Sequence, residues 1–420
     1  MRQVGGFELN IYHNYEEIIE FLKHLTKHSK HLAIYSNIGR STKGNEIGVV
    51  KISDGFEKEK PVVIIECGIH AREWVAVSTC LWIANDLVKH KPKLLGKYEF
   101  HLIPIVNPDG YIYTWNRNRY WRKNLSNHFN NSFSSQCFGA DLNRNFDANF
   151  CESGASKNPC EQDFCGPFAF SEAESKVLRD YILKQKSKLK AYFALHNFGQ
   201  FWMYPYAHSH KMPSNIDQLV KLSKLAVDTI KRSKGATYEQ GQVAKLIMES
   251  SGSSIDWVYD NTACKIVFAI ELRDKGQHGF RLPNALIEPT AIEAWSGFPF
   301  HFVQSDIKNL EATNNQKVDI EFKSILSEKN ILLERISYFV EETNRLNLTF
   351  TDRHKFDVIC CETFLRNGAL AYLLDGLIKN ETLDENESMW FHESLAPYQV
   401  AICVANGKSI WGSNSLNEVK

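Results

Sequence analysis

Through roughly the first 300 residues, short apolar runs alternate with amphipathic stretches. That is the pattern of an α/β domain built on a mixed, mostly parallel sheet flanked by helices. Val62-Val63-Ile64-Ile65 leads through Cys67 and Gly68 to His70, Ala191-Tyr192-Phe193-Ala194-Leu195 leads to His196, and Ile266-Val267-Phe268-Ala269-Ile270 leads to Glu271. Each run is rich in β-branched or aromatic residues and predicts a buried strand with a polar group at or just past its C-terminal end. A fourth strand, residues 102–106, ends in Asn107-Pro108-Asp109-Gly110, which predicts a turn. In open α/β sheets the ligand site lies outside the carboxyl ends of the strands. Three strands ending in His or Glu therefore gather those groups on one edge.

The texture changes after about residue 307. Residues 309–317 are polar and predict a linker, placed at 307–318. Ile325, Leu332, Ile336, Phe339 and Val340 then recur at helical spacing and predict a helix over about 320–346. Shorter apolar stretches follow at 356–361, 369–378 and 398–404. The organisation expected is a main domain over 7–306 and a smaller, α-rich C-terminal appendage over 319–420.

A hydrophobic content of 43% in 420 residues gives each unit a core to bury. The 49 basic and 49 acidic residues balance, which argues against a general nucleic-acid or membrane-surface binder, whose affinity rests on a basic excess. No apolar run is long enough to cross a bilayer, and residues 1–10 lack the charged-then-apolar pattern of a secretory signal. Taken alone, this predicts a cytosolic chain. The cysteines point the other way. Six of ten lie near one another two by two: Cys67 with Cys80, Cys137 with Cys160, and Cys151 with Cys165. Four crowded between 137 and 165, in a Gly/Ser/Asn-rich stretch, favour a stapled loop and an oxidising compartment. Buried unpaired thiols are the alternative, and zinc ligation by this group lacks a CxxC spacing.

His-x-x-Glu occurs twice. His13-Asn14-Tyr15-Glu16 follows no strand, whereas His70-Ala71-Arg72-Glu73 follows one, beside Gly68, at the start of a helical stretch over 74–88. Residues three apart on a helix face the same way, so an imidazole and a carboxylate can meet one cation. A third ligand must come from afar, and His196 at a strand end is the candidate. Two His and one Glu with an open fourth position make a catalytic rather than a structural zinc arrangement. The competing reading is a pair of hydrogen-bonded core histidines. It weakens once Glu73 and Glu271 are counted with them, because buried charges need partners.

The chain also carries the motifs Gly68-Ile69-His70-Ala71-Arg72-Glu73-Trp74, Asn107-Pro108-Asp109-Gly110-Tyr111, Trp121-Arg122-Lys123, Asn143-Arg144-Asn145-Phe146-Asp147, His196, Ser254-Ile255-Asp256-Trp257 and Glu271-Leu272-Arg273-Asp274. Through these, residues from about 7 to about 302 resemble the zinc metallocarboxypeptidases of the pancreatic A/B type. The resemblance implies one Zn2+ on His70, Glu73 and His196. It implies that Glu271 takes a proton from the attacking water and hands it to the leaving amine, with Arg122 steadying the oxyanion. Asn143 and Arg144 are implied as the clamp on the substrate's terminal carboxylate, assisted by Arg72. The three cysteine pairs also match, as bridges of B-type members.

Ile255 stands where the family's basic-residue enzymes carry an Asp, which implies release of a hydrophobic or aromatic C-terminal residue. Met248 stands where the family has a Tyr that closes over the substrate, and a thioether cannot donate that phenolic hydrogen bond. The function expected is hydrolysis of the C-terminal peptide bond by a secreted monomer acting on peptide or protein C-termini. The alternatives are an impaired or non-catalytic binder of such termini, and a deacylase of small acylated amino acids. Relatives of this kind usually carry a signal and an inhibitory prosegment, and this chain is expected to start almost at the mature domain. Residues 390–404, around Leu395-Ala396-Pro397-Tyr398-Gln399-Val400, weakly resemble the opening strand of an anticodon-binding-type domain.

Overall fold

The computed structural model describes residues 6–29, 31–90, 92–128 and 137–298, with the strand Gln3–Val4 and short strands between 317 and 409. The chain divides into two compact units, Met1–His301 and Phe302–Lys420.

An eight-stranded sheet organises the first unit. Its strands are β1 (Ala33–Arg40), β2 (Glu46–Ile52), β3 (Val62–Cys67), β4 (Glu99–Ile103), β5 (Leu189–Asn197), β6 (Phe201–Tyr204), β7 (Glu239–Gln242) and β8 (Ile266–Leu272). They lie in the order β1-β2-β4-β3-β5-β8-β6-β7. The central strands β4, β3, β5 and β8 run parallel, as do β6 and β7, while the β1/β2, β2/β4 and β8/β6 pairs are antiparallel. Every residue of β3 is buried, and so is nearly every residue of β5. This is why residues 62–65 and 191–195 read as unbroken apolar runs: strands covered on both faces have no solvent side to alternate with.

The longer helices are α1 (Tyr15–His28), α2 (Trp74–His90), α3 (Pro108–Asn116), α4 (Ala173–Gln185), α5 (Ile216–Lys234), α6 (Ser254–Asn261) and α7 (Ile287–Ser296). α1 opens on a capping box, in which Asn14 accepts from the Glu17 N–H while the Glu17 carboxylate accepts from the Asn14 N–H. It buries Tyr15, Ile18, Phe21, Leu22 and Leu25. α2 is buried almost all round and packs on α7. No helix among the described residues is long and apolar enough to cross a membrane.

Two expectations are corrected. The fourth strand ends at Ile103, and Asn107-Pro108-Asp109-Gly110 opens α3 instead of forming a turn. Asn107 is its N-cap, accepting from the Gly110 N–H at 2.9 Å, and Pro108 fills the first turn, where a missing N–H costs nothing. Over 320–346 the described segments are strands, not a helix. Ile336–Val340 pairs antiparallel with Leu346–Phe350, which pairs with Phe356–Cys360. Ile336, Phe339 and Val340 are types that suit a pleated surface, so helical spacing over a short run was a weak guide. Residues 369–378 and 390–403 lie outside the described residues.

Candidate metal and catalytic centre

β3 stops at Cys67 because Gly68 turns the chain at φ +61°. A Cβ there would lie 2.9 Å from the Pro104 carbonyl oxygen and 3.0 Å from Val77 Cγ2, so the turn requires glycine. The chain then passes through His70 and reaches Glu73 just before α2, with the Ala71 N–H donating to the Arg122 carbonyl at 3.1 Å. His196 is the second-last residue of β5 and Glu271 the second-last of β8, directly opposite each other in parallel register. Both therefore lie just inside their strands.

His70 Nδ1 lies 2.8 Å from Glu73 Oε1, His196 Nδ1 lies 3.0 Å from Glu73 Oε2, and the two Nδ1 atoms are 3.2 Å apart. All three residues are buried, and they are the one metal-capable group found among the described residues. Four-coordinate zinc with bonds of about 2.0–2.1 Å spaces its ligand atoms roughly 3.3 Å apart, so the donor set fits the ion. Burial alone would raise the Glu73 carboxyl. The imidazoles of His70 and His196 outweigh it and hold the group below the usual carboxylate range.

Asp141 completes this centre, and the sequence reading missed it. Fully buried, it accepts from His70 Nε2 at 3.2 Å and from Arg122 Nε and Nη2 at 2.8 Å each. Burial opposes its ionisation, but Arg122 and His70 keep it well below the usual range. A proton on His70 Nε2, held by Asp141, leaves the Nδ1 lone pair for a metal. The signal available in sequence was its cap: Asp141 accepts from the Asn143 N–H at 2.9 Å and opens the short helix Leu142–Arg144.

Glu271 is pushed up to about 8, by burial first and by Glu73 next, against the opposing influence of His196, Arg122 and Arg72. Its Oε2 is buried without a partner, and so is Arg72 Nε. Arg72 lies over the Phe280 ring at 4.2 Å and donates through Nη1 to the Tyr120 carbonyl at 3.3 Å. Arg144 donates from Nε to the Gly154 carbonyl at 2.8 Å and from Nη1 to the Asn143 carbonyl at 3.0 Å. Its loop is locked to the next one at Gly252, where a Cβ would lie 2.1 Å from the Arg144 carbonyl oxygen. Ile255, in the first turn of α6, is buried at 3% exposure, whereas Met248 is 57% exposed.

His13 stays apart from this group. It stacks on Phe7 at 3.6 Å, meets Glu17 instead of Glu16, and contacts the Glu8 carbonyl. Of the three expected disulfides two are present, Cys137–Cys160 and Cys151–Cys165. The third is corrected: Cys67 and Cys80 are free thiols, 1% and 0% exposed, which lie against each other between the end of β3 and α2. Unbonded cysteine is among the residues most often buried, and spacing alone does not separate a bridge from two neighbouring thiols.

The sequence profile of the zinc carboxypeptidase family, peptidase M14, matches residues 18–297. The chain belongs to that family. It is 41% identical over 294 residues to carboxypeptidase B from Bos taurus, covering 69% of each chain. It is 40% identical over 298 residues to carboxypeptidase A2 from Mus musculus, covering 70% of each. The solved structure of bovine thrombin-activatable fibrinolysis inhibitor in complex with tick carboxypeptidase inhibitor superposes with a TM-score of 0.67 at 34% identity, over 72% of this chain and 99% of that one. The chain is thus a metallocarboxypeptidase of the A/B type, a hydrolase acting on peptide bonds. Two histidines and a glutamate are the ligand set already known for carboxypeptidase A.

Proposed function

We propose that this metallocarboxypeptidase releases apolar or aromatic C-terminal residues, with one zinc ion on His70, Glu73 and His196. The observation that carries the specificity is at Ile255 and its neighbour. Ile255 presents an uncharged side chain, and the carboxylate of Asp256 is already engaged. It accepts from the N–H groups of Ala207 and His208 at 2.9 Å and from His208 Nδ1 at 2.8 Å. Residues 254–257 offer no second carboxylate for a basic terminal side chain.

Zinc, when bound, supplies Lewis acidity toward a carbonyl oxygen and a water. The chain's own groups do the rest. Glu271 takes the water's proton and passes it to the leaving amine. Arg122, held by Asp141 through Nε and Nη2, is a pre-set cation for the developing oxyanion. The clamp on the substrate carboxylate is Asn143 and Arg144. The Asn143 side-chain oxygen is taken by the Ser254 N–H at 2.9 Å, which leaves its amide N–H groups to donate. Arg72, with its unpartnered Nε, assists. The two disulfides support action on peptide and protein C-termini in an oxidising, extracellular setting.

A second reading is a protein that holds C-termini without turning them over. It draws on Met248, an exposed thioether where the family carries a phenolic donor. Turnover of otherwise identical peptides ending in Phe, Leu, Lys and Arg, with zinc content measured alongside, separates these readings. Phe and Leu are expected to be released faster. A preference for Lys or Arg overturns the reading of Ile255, and zinc-loaded protein that binds without release supports the second reading.

A further inference from the structure

Glu66 is a carboxyl group deep in the central sheet, on β3 opposite Ala194 of β5, and 1% exposed. Among the described residues no cation hydrogen-bonds to it, and burial raises its acid above the usual range against the opposing influence of His196. Its Oε1 accepts from the Ser254 hydroxyl at 2.9 Å, while Oε2 has no partner. Tyr192 lies close by with a geometry that falls short of a hydrogen bond. The catalytic chemistry derived above makes no use of this group.

Ser254 connects it to the site. As the first residue of α6 it points two donors in two directions: its hydroxyl to Glu66, and its N–H to the side-chain oxygen of Asn143 at 2.9 Å. An asparagine amide has one acceptor end and one donor end. Engaging the oxygen leaves the nitrogen as the end free to donate. The start of α6 is thereby pinned from behind by β3 while it orients the amide in front of it.

We infer that Glu66 is a positioning residue for substrate binding, acting through Ser254 to fix the donor end of Asn143 toward the substrate carboxylate. This rests on the reading of Asn143 as part of that clamp. Glu66 serves here as a hydrogen-bond acceptor, so a neutral amide of the same shape does the same work. An apolar side chain leaves the Ser254 hydroxyl without its partner and the helix start free to shift.

The test uses the zinc-loaded full chain and a peptide ending in Phe. Glu66→Gln keeps KM within about twofold of wild type. Glu66→Leu and Ser254→Ala each raise KM about three- to tenfold, the range of one hydrogen bond, with kcat and zinc content unchanged. The double variant is no worse than either single one, because both break the same link. If Glu66→Leu does not fold, Ser254→Ala carries the measurement alone. A KM unmoved by Ser254→Ala, additive effects, or a fall in kcat equal to the rise in KM overturns the inference. Asn143→Ala separates the two layers. If it leaves KM at the wild-type value, the clamp reading fails and the inference with it. If it raises KM while Ser254→Ala does not, the role of Glu66 alone fails.

Discussion

Glu271 and Asp141 are carboxylates of one centre whose surroundings push them apart. Asp141 accepts from a guanidinium and an imidazole and stays ionised, whereas Glu271 has an unpartnered oxygen and is pushed up to about 8. Their substitutions should therefore fail differently. Glu271→Gln is expected to keep zinc by elemental analysis and lose about 10²–10⁴-fold in kcat, the range for removing a positioned base. Near-wild-type turnover would end that assignment. Asp141→Asn is expected to weaken zinc about 10–100-fold in competition with a chelator, because it loosens the imidazole that would hold the metal. An unchanged affinity would confine Asp141 to holding Arg122. At this scale the sequence marked, through their neighbours, the residues that the structure brings together, His70, Glu73, His196 and Glu271. Asp141 escaped because its partners lie 71 and 19 positions away and its local neighbours marked it only as a cap.

At the scale of elements, α3 shows how a short segment serves two structures at once. Asn107 caps the helix with its oxygen, and its nitrogen donates to the carbonyls of Ile69 and Lys123 at 3.3 and 3.1 Å, beside His70 and Arg122. Asn107→Ala removes the cap and leaves buried carbonyls short of a donor. It is expected to lower stability by at least about 2 kcal/mol, read as a shift in urea midpoint at constant slope. A loss below about 0.5 kcal/mol would mean that water replaces the amide. The strands were legible because sheets covered on both faces need continuous apolar runs. Asn-Pro-Asp-Gly was not, since the residues that favour a turn are the ones that start a helix. Distinguishing the two needs the carbonyls that Asn107 meets, and those are distant in sequence.

For the whole molecule, the pair His128–Glu172, 2.7 Å apart, ties stability to pH. Its hydrogen bond to Glu172 raises His128, whose contribution is present below the unfolded value of 6.5 and is lost as pH rises through the folded one. Burial would raise Glu172, but His128 and its other donors lower it. Its contribution is present above 4.5 and is lost as pH falls through the folded value. The difference in Tm between wild type and His128→Gln is expected to be widest between about pH 4.5 and 6.5 and to narrow on both sides. A difference flat from pH 3 to 9 would dismiss the pair. Removing residues 302–420 is expected to leave zinc content, kcat and KM unchanged, since every residue of the candidate site lies within Met1–His301. A loss of zinc or of activity would make the second unit a working part of the enzyme.

Glu271 and His196 are opposite each other in neighbouring parallel strands, so the span from the proposed base to the proposed metal ligand is written into main-chain pairing. Inserting or deleting one residue within either strand would turn its functional group to the far face of the sheet, abolishing the pair in a single step with no intermediate spacing to select. Residues added between β6 and β7 or between β7 and β8 leave that pairing untouched. Descendants of this chain can therefore diversify by growing connections and exchanging side chains, while the lengths of these two strands stay fixed.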